Sequence, residues 1–260
     1  IKTGTVTRDD LAIVFSETAA TAAATFTTNK VKAAPVRISA EHLRAGRARA
    51  VVLNSGNANA CTGPSGMADA RAMASATAKV LAIKSSQVLV CSTGRIGVPM
   101  PMPAILKGIS AVKLTRAGSH KAAKAIMTSD TFAKEIALEV TTHDGNFRIG
   151  GLAKGAGMID PNMATMLCVV TTDAIVPADA LRKTLRDSVE DSFNRITIDG
   201  DMSTNDTVIL LANGASGISP SPAIFRSALD LITRGLARMI VKDGEGVSRF
   251  VEVEVRRAAS

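Results

Sequence analysis

The sequence predicts an α/β domain built on a mixed sheet, on three observations. Short apolar runs alternate with helical periodicities along the chain. Two such runs, Ile136–Val140 and Asn146–Ile149, flank Asp144-Gly145, a hairpin dipeptide, so the sheet cannot be wholly parallel. And 260 residues, 46% of them hydrophobic and 21% charged, suffice for a core that buries about 70–75% of the unfolded surface.

The elements follow in order. Thr18–Thr28 is mostly Ala and Thr and shows no clear period. Val31–Val36 reads as a strand, Ala40–Arg49 as a helix and Ala50–Leu53 as a strand. Asn54–Gly66 (NSGNANACTGPSG) is small, polar and glycine-rich, which predicts a loop with special backbone angles. Ala68–Ile83 reads as a helix, and Gln87–Cys91 as a buried strand running into Ser92-Thr93-Gly94. Pro101–Leu114 and Ser119–Met127 read as helices. Beyond the hairpin, the segment from Gly150 opens as a glycine-rich loop and closes in a buried strand, Thr165–Thr171. Pro177 starts a helix with Leu181, Leu185, Val189 and Phe193 on one face. Thr207–Leu211 is a strand and Pro222–Ile240 a second long helix. In Arg249–Arg256, Val251, Val253 and Val255 alternate with Glu252 and Glu254, which predicts a final strand.

Composition narrows the function. Lys and Arg number 31 against 23 Asp and Glu, a net charge of +8, but the charges are scattered. The densest cluster, Arg44, Arg47 and Arg49, has no aromatic neighbour, and the chain has seven Phe and no Trp or Tyr. That argues against a nucleic-acid partner, which needs stacking platforms, and favours a basic surface attractive to anionic small molecules. No apolar run reaches membrane-spanning length. Cys61, Cys91 and Cys168 stand apart without a CxxC pair, which predicts free thiols in a reducing, cytoplasmic setting. His42, His120 and His143 show no metal-ligand spacing, so neither a metal nor a cofactor is expected. The chain opens on Ile1 without a leader and stops abruptly after its last strand, which reads as a trimmed chain.

Two places carry possible chemistry. Thr165 lies between an irregular segment, Ile159–Met163, and the apolar run Met166–Val170. Either its hydroxyl satisfies local backbone, or it is a nucleophile released by cleavage of the Ala164–Thr165 bond. An N-terminal Thr carries its own base, the α-amine. With a pKa of roughly 7.7–8.0, about a third of such amines are free near pH 7.5. Ser92-Thr93-Gly94 is either a plain turn or a strand-end turn that aims N–H groups at an oxyanion. Gly155-Ala156-Gly157, after Lys154, fits neither a phosphate loop nor a dinucleotide loop and reads as a tight turn.

Six blocks carry a resemblance: NSGNANACTGPSG, STGRIG, IMTSDTF, AKGAGMIDPNMATML, SFNRITIDGDMSTNDT and VKDGEGVSRFVEVEV. Together, in this order and along essentially the whole chain, they resemble the ornithine acetyltransferase family, also called glutamate N-acetyltransferase. The resemblance implies an arginine-biosynthesis enzyme that moves an acetyl group from N-acetylornithine to glutamate through acetyl-Thr165. It also implies a stacked α/β fold, an N-terminal-nucleophile-like αββα sandwich, and self-cleavage of a single catalytic domain (1–260) into 1–164 and 165–260.

Carried over residue by residue, it makes Thr165 the nucleophile, Ala164 and Thr165 the cleavage site, and Thr93 and Gly94 the oxyanion pair. Thr128, Lys154, Thr165 and Glu245 become substrate-binding, with Thr131 a weaker candidate. Lys154 suits a substrate carboxylate and Glu245 an ammonium. No cofactor, nucleic acid or membrane is implied. The implied assembly is a heterotetramer of two cleaved α and two β chains. Ser129, Ala133 and Met202 depart from the family's usual residues, and family chains continue past the last strand. The alternatives are an amidase or aminopeptidase-type hydrolase on the same self-cleaving scaffold, and a binding protein that keeps the fold without cleavage.

Overall fold

Leu11–Phe26 forms one long strand, β1, that organises the rest of the molecule. Its first half pairs antiparallel with β2 (Arg47–Asn57) and its second half with β7 (Thr207–Ala212). Between Phe15 and Ala20 the register with β2 shifts, the local irregularity at which a strand bends. The computed structural model describes residues 9–160 and 166–257.

The remaining strands are β3 (Val88–Arg95), β4 (Lys134–Thr142), β5 (Gly145–Lys154) and β6 (Leu167–Thr172). The helices are α1 (Ala34–His42), α2 (Gly63–Leu81), α3 (Met102–Ala111), α4 (Ser119–Ala125), α5 (Ala178–Glu190) and α6 (Pro222–Lys242). The sheet order is β3-β2-β1-β7-β6-β5-β4. The β2–β3 and β6–β7 pairs are parallel and the others antiparallel, the mixed sheet that the sequence predicts.

Side-chain alternation turns this sheet into layers. Ala50, Val52, Val88 and Val90 pack on Ile38, Met73 and Ile105 of α1, α2 and α3. Cys168, Val170, Val208 and Leu210 pack on Leu181 and Leu185 of α5 and on Ile232 and Leu236 of α6. The opposite faces meet each other: Val51, Leu53 and Leu89 share a cluster with Leu167, Val169 and Ile209, joined by Ala123 and Ile126. The sheet therefore folds over itself along β1, giving helices, two sheet layers and helices again. The stacked layers are halves of one hydrogen-bonded sheet. Each large aliphatic side chain buried between them contributes about 1.5–3 kcal/mol.

Several predicted boundaries move. α1 starts at Ala34, with a proline in its first turn, where the expected strand Val31–Val36 would end. The expected helix Ala40–Arg49 gives way at Gly46, whose φ of +64° ends the turn, and β2 begins at Arg47. Asn54–Asn57 extends β2 and Gly63 opens α2, so only 58–62 remains as loop. Gly150–Lys154 belongs to β5 and is not a loop. Residues 249–256 form no strand; Val251, Val253 and Val255 are exposed.

Candidate active site

The end of β3 lies beside the parallel end of β2, with Thr93 opposite Ser55 and Gly94 opposite Gly56. Thr93 is buried and Gly94 exposed. Gly94 has a φ of +130°, and a Cβ there would fall 2.3 Å from the Gly56 carbonyl carbon. Only glycine fits this approach. The result is a sharply turned backbone beside a threonine, of the kind that can present N–H groups to a developing oxyanion.

A loop ahead of β7 ties this turn to the start of β6. The Asn205 amide donates to the carbonyls of Ala58 at 2.6 Å and Ser92 at 2.8 Å. Next to it, Asp206 Oδ1 accepts the Met166 N–H at 2.9 Å. The Asp206 carbonyl accepts from Thr27, and Thr207 N–H donates to the Met166 carbonyl. Asp206 is fully buried, and its Oδ2 has no hydrogen-bond partner among the described residues. Burial pushes its carboxyl well above the usual range, against the pull of the Met166 N–H, the Ser203 hydroxyl and the Lys154 ammonium.

Lys154 ends β5 opposite Leu167 of β6 and is buried. Its Nζ stands 3.8 Å from Asp130 Oδ2, beyond hydrogen-bond reach. Burial drives its pKa down, a drive that Asp130, Asp206 and Glu245 oppose and Lys134 reinforces. Such a cation gains from any anion that enters beside it.

Asp130 is the hub. Its Oδ1 accepts from Lys134 Nζ and from the Gly155 N–H, each at 2.7 Å, and its Oδ2 from the Thr128 N–H at 2.9 Å. Burial alone would raise its pKa, but Lys154 and Lys134 hold it down at about 2. Fully buried Lys134 also donates to Asp243 Oδ2 at 2.5 Å. The Thr131 N–H donates to Asp243 at 3.0 Å, and so does the Thr131 hydroxyl. Two residues on, the Glu245 N–H donates to the Ala156 carbonyl at 2.6 Å. A Cβ on Gly157 would come within 2.9 Å of the Glu245 carboxylate.

The structure thus gathers Thr128, Lys154 and Glu245 around Gly155–Gly157. It joins Thr93 and Gly94 to them through Asn205 and Asp206. Thr131 is committed to Asp243. Ala164 and Thr165 lie outside the described residues; their neighbour Met166 is fixed at the head of β6. Sequence reasoning missed Asp130, Lys134, Asn205, Asp206 and Asp243. All but Lys134 sit inside the quoted blocks, where charged and amide side chains among small residues were the available signal. A surface depression lined by Lys32, Arg37, Glu41 and Arg44 lies elsewhere, against α1.

The sequence profile of the ArgJ family matches residues 1–260. The chain belongs to the ArgJ family. An arginine biosynthesis bifunctional protein ArgJ from Geobacter sulfurreducens is 51% identical over 261 residues, covering 97% of this chain and 66% of that protein. Its namesake from Caldanaerobacter subterraneus subsp. tengcongensis is 48% identical over 262 residues, covering 96% of this chain and 64% of that protein. The chain therefore spans just under two thirds of their length.

Among solved structures, the ArgJ protein of Bacillus halodurans is 41% identical with a TM-score of 0.58. The ornithine acetyltransferase of Mycobacterium tuberculosis, solved with ornithine, is 44% identical with a TM-score of 0.54. Each match covers 61% of this chain and 84% of the other. No helix among the described residues is long and apolar enough to cross a membrane.

Proposed function

We propose that this ArgJ-family chain carries the catalytic machinery of an acetyltransferase acting in arginine biosynthesis. It cleaves itself between Ala164 and Thr165, and the freed Thr165 takes the acetyl group of N-acetylornithine and passes it to glutamate. The observation that supports this most is the charge arrangement at Gly155–Gly157. A buried, under-paired ammonium (Lys154) and an exposed carboxylate (Glu245) flank the same loop, one strand away from Met166. Both substrates carry an α-carboxylate and a nitrogen, so one such pocket serves them in turn. Lys154 takes the carboxylate and Glu245 the ammonium. Thr93 and Gly94 supply the oxyanion contacts, and Thr128, held by Asp130, lines the pocket.

The chemistry is ping-pong. The Thr165 hydroxyl attacks the acetyl carbonyl, its α-amine takes the proton, and ornithine leaves before glutamate enters. Self-cleavage uses the same hydroxyl against the Ala164 carbonyl. The two fragments then assemble as a heterotetramer of two α and two β chains, in the cytoplasm. The test is incubation of the cleaved protein with N-acetylornithine alone, followed by peptide mass analysis. An adduct of about 42 Da is expected on the peptide that begins at Thr165, lost on adding glutamate. Parallel double-reciprocal lines accompany it. Intersecting lines with no adduct on rapid quenching mean direct transfer and remove Thr165 from the mechanism.

A further inference from the structure

Four side chains of alternating charge form a row through the interior beside the Gly155–Gly157 loop. Lys154 Nζ stands 3.8 Å from Asp130 Oδ2, Asp130 Oδ1 accepts from Lys134 Nζ at 2.7 Å, and Lys134 Nζ donates to Asp243 Oδ2 at 2.5 Å. None of the four side chains is more than 2% exposed. Each end of the row is tied to the loop. Asp130 also accepts the N–H of Gly155, the residue after Lys154, at 2.7 Å. Asp243 lies two residues before Glu245, whose N–H donates to the Ala156 carbonyl and whose carboxylate packs over Gly157. The row has little freedom. Lys134 stands on β4 opposite Ala153 of β5, its Nζ lies 4.8 Å from the centre of the Phe132 ring, and Thr131 donates to Asp243 through both its N–H and its hydroxyl. Replacing buried ion pairs by well-packed apolar groups is often neutral or stabilising, so fold stability alone is a poor reason for such a row.

We propose that Asp130, Lys134 and Asp243 are positioning residues, a buried spacer that fixes the gap between the Lys154 ammonium and the Glu245 carboxylate and so selects substrates by the length between their own α-carboxylate and side-chain ammonium. The inference rests on the pocket reading above, in which Lys154 takes the carboxylate and Glu245 the ammonium, and adds what sets the size of that pocket. Charge-assisted hydrogen bonds hold over a narrow range, about 2.7–2.9 Å. With both protein charges fixed, a ligand one methylene too short cannot reach both, and one too long must buckle between them. Lys134 and Asp243 touch neither end of the ligand. They act through Asp130 on Lys154 and Gly155, and through the 243–245 turn on Glu245.

The experiment titrates the full chain calorimetrically with ornithine, with lysine, one methylene longer, and with diaminobutyrate, one methylene shorter. The natural chain should prefer ornithine over each homologue on the order of 10-fold or more. Lys134→Arg keeps the charge, but its bulkier fork pushes Asp130 and Asp243 apart in a space without room. Its preference should shift toward lysine, leaving ornithine and lysine within about threefold. Asp243→Asn keeps an acceptor for Thr131 but loses the ion pair, and should lower discrimination against both homologues. Natural ratios in both variants overturn the spacer, and so does a natural chain that binds all three ligands alike. Equal weakening of all three ligands, or loss of the fold in both variants, also overturns it, since the row would then only support the structure. A natural chain that does not bind ornithine, or a Lys154→Met variant that binds it undiminished, refutes the pocket reading itself.

Discussion

The side-chain amide of Asn205 donates to the carbonyl of Ser92 at 2.8 Å, from a loop more than a hundred residues further along the chain. Ser92 precedes Thr93 and Gly94, and Asn205 precedes Asp206. One side chain therefore sets the spacing between the proposed oxyanion turn and the residue that holds Met166.

Removing that side chain leaves two buried carbonyls, of Ala58 and Ser92, without donors. Each unpaired group costs about 1–3 kcal/mol, so Asn205→Ala should lose about 2–6 kcal/mol of stability in urea denaturation. Asn205→Asp should do no better, because a carboxylate cannot donate. A loss under about 0.5 kcal/mol in both would mean the bonds do not hold the loop.

Lys134 is a fully buried cation between Asp130 and Asp243. Lys134→Met fills the space but leaves two carboxylates facing each other without their shared counter-ion. Breaking a buried pair in this way costs about 3–5 kcal/mol. Adding Asp243→Asn should restore part of the loss, so the double variant is expected to be less than additive. Strict additivity in a denaturation cycle would show that the two residues are not coupled.

Asp130 gives a pH test. Its carboxyl is held at about 2 in the fold against an ordinary 3.8. A carboxyl lowered by folding contributes stability above its unfolded pKa, and the contribution disappears as pH falls toward the folded value. The stability difference between the natural chain and Asp130→Asn should therefore be full at pH 7 and shrink between about pH 4 and 2, by on the order of 2 kcal/mol. Asp206, raised by burial, has the opposite sign and stays the same in both chains, so it cancels. A difference that is flat with pH would remove the charge pairing from the explanation.

Sheet order makes the two fragments of the proposed cleavage inseparable without unfolding. β6 and β7 stand in the middle of the sheet, between β1 and β5, so 165–260 is laddered to 1–164 on both sides. α5 and α6 also bury a shared core that includes Ala23, Phe147 and Ile149. After cleavage, 1–164 and 165–260 should co-elute in native gel filtration and separate only in denaturant. Separation in native buffer would contradict this strand order.

The parts of the fold legible in the sequence were those with one strong period. Leu181, Leu185 and Val189 mark α5, and the run around Asp144-Gly145 gives the hairpin. β1 was not legible because Ala20, Ala22 and Ala23 are small enough to pack between close layers yet carry no β signature. The valines of 251–255 failed in the other direction: period two without a neighbouring edge is not a strand. At the site, the blocks pointed to Thr93, Lys154 and Glu245. The charge hub at Asp130, which also needs Gly155 and Lys154, and the Asn205 tie to Ala58 and Ser92 were hidden, since these partners are distant in sequence and only the fold brings them near.

Thr93 is the sharpest test of the oxyanion reading. It lies at a strand end next to Gly94, whose backbone only glycine can adopt, and it is buried where β2 and β3 end together. If the Thr93 hydroxyl meets the negative oxygen of the tetrahedral intermediate, Thr93→Ala should lower kcat on the order of 10²–10³-fold, about 2.7–4 kcal/mol. KM should move little, because that charge exists mainly in the transition state. Self-cleavage should slow as well, since it passes through a similar intermediate. Gly94→Ala should be worse than Thr93→Ala in stability, because its Cβ would strike the Gly56 backbone. A Thr93→Ala protein with unchanged kcat and a raised KM would make Thr93 a substrate-binding residue and leave the oxyanion to other donors.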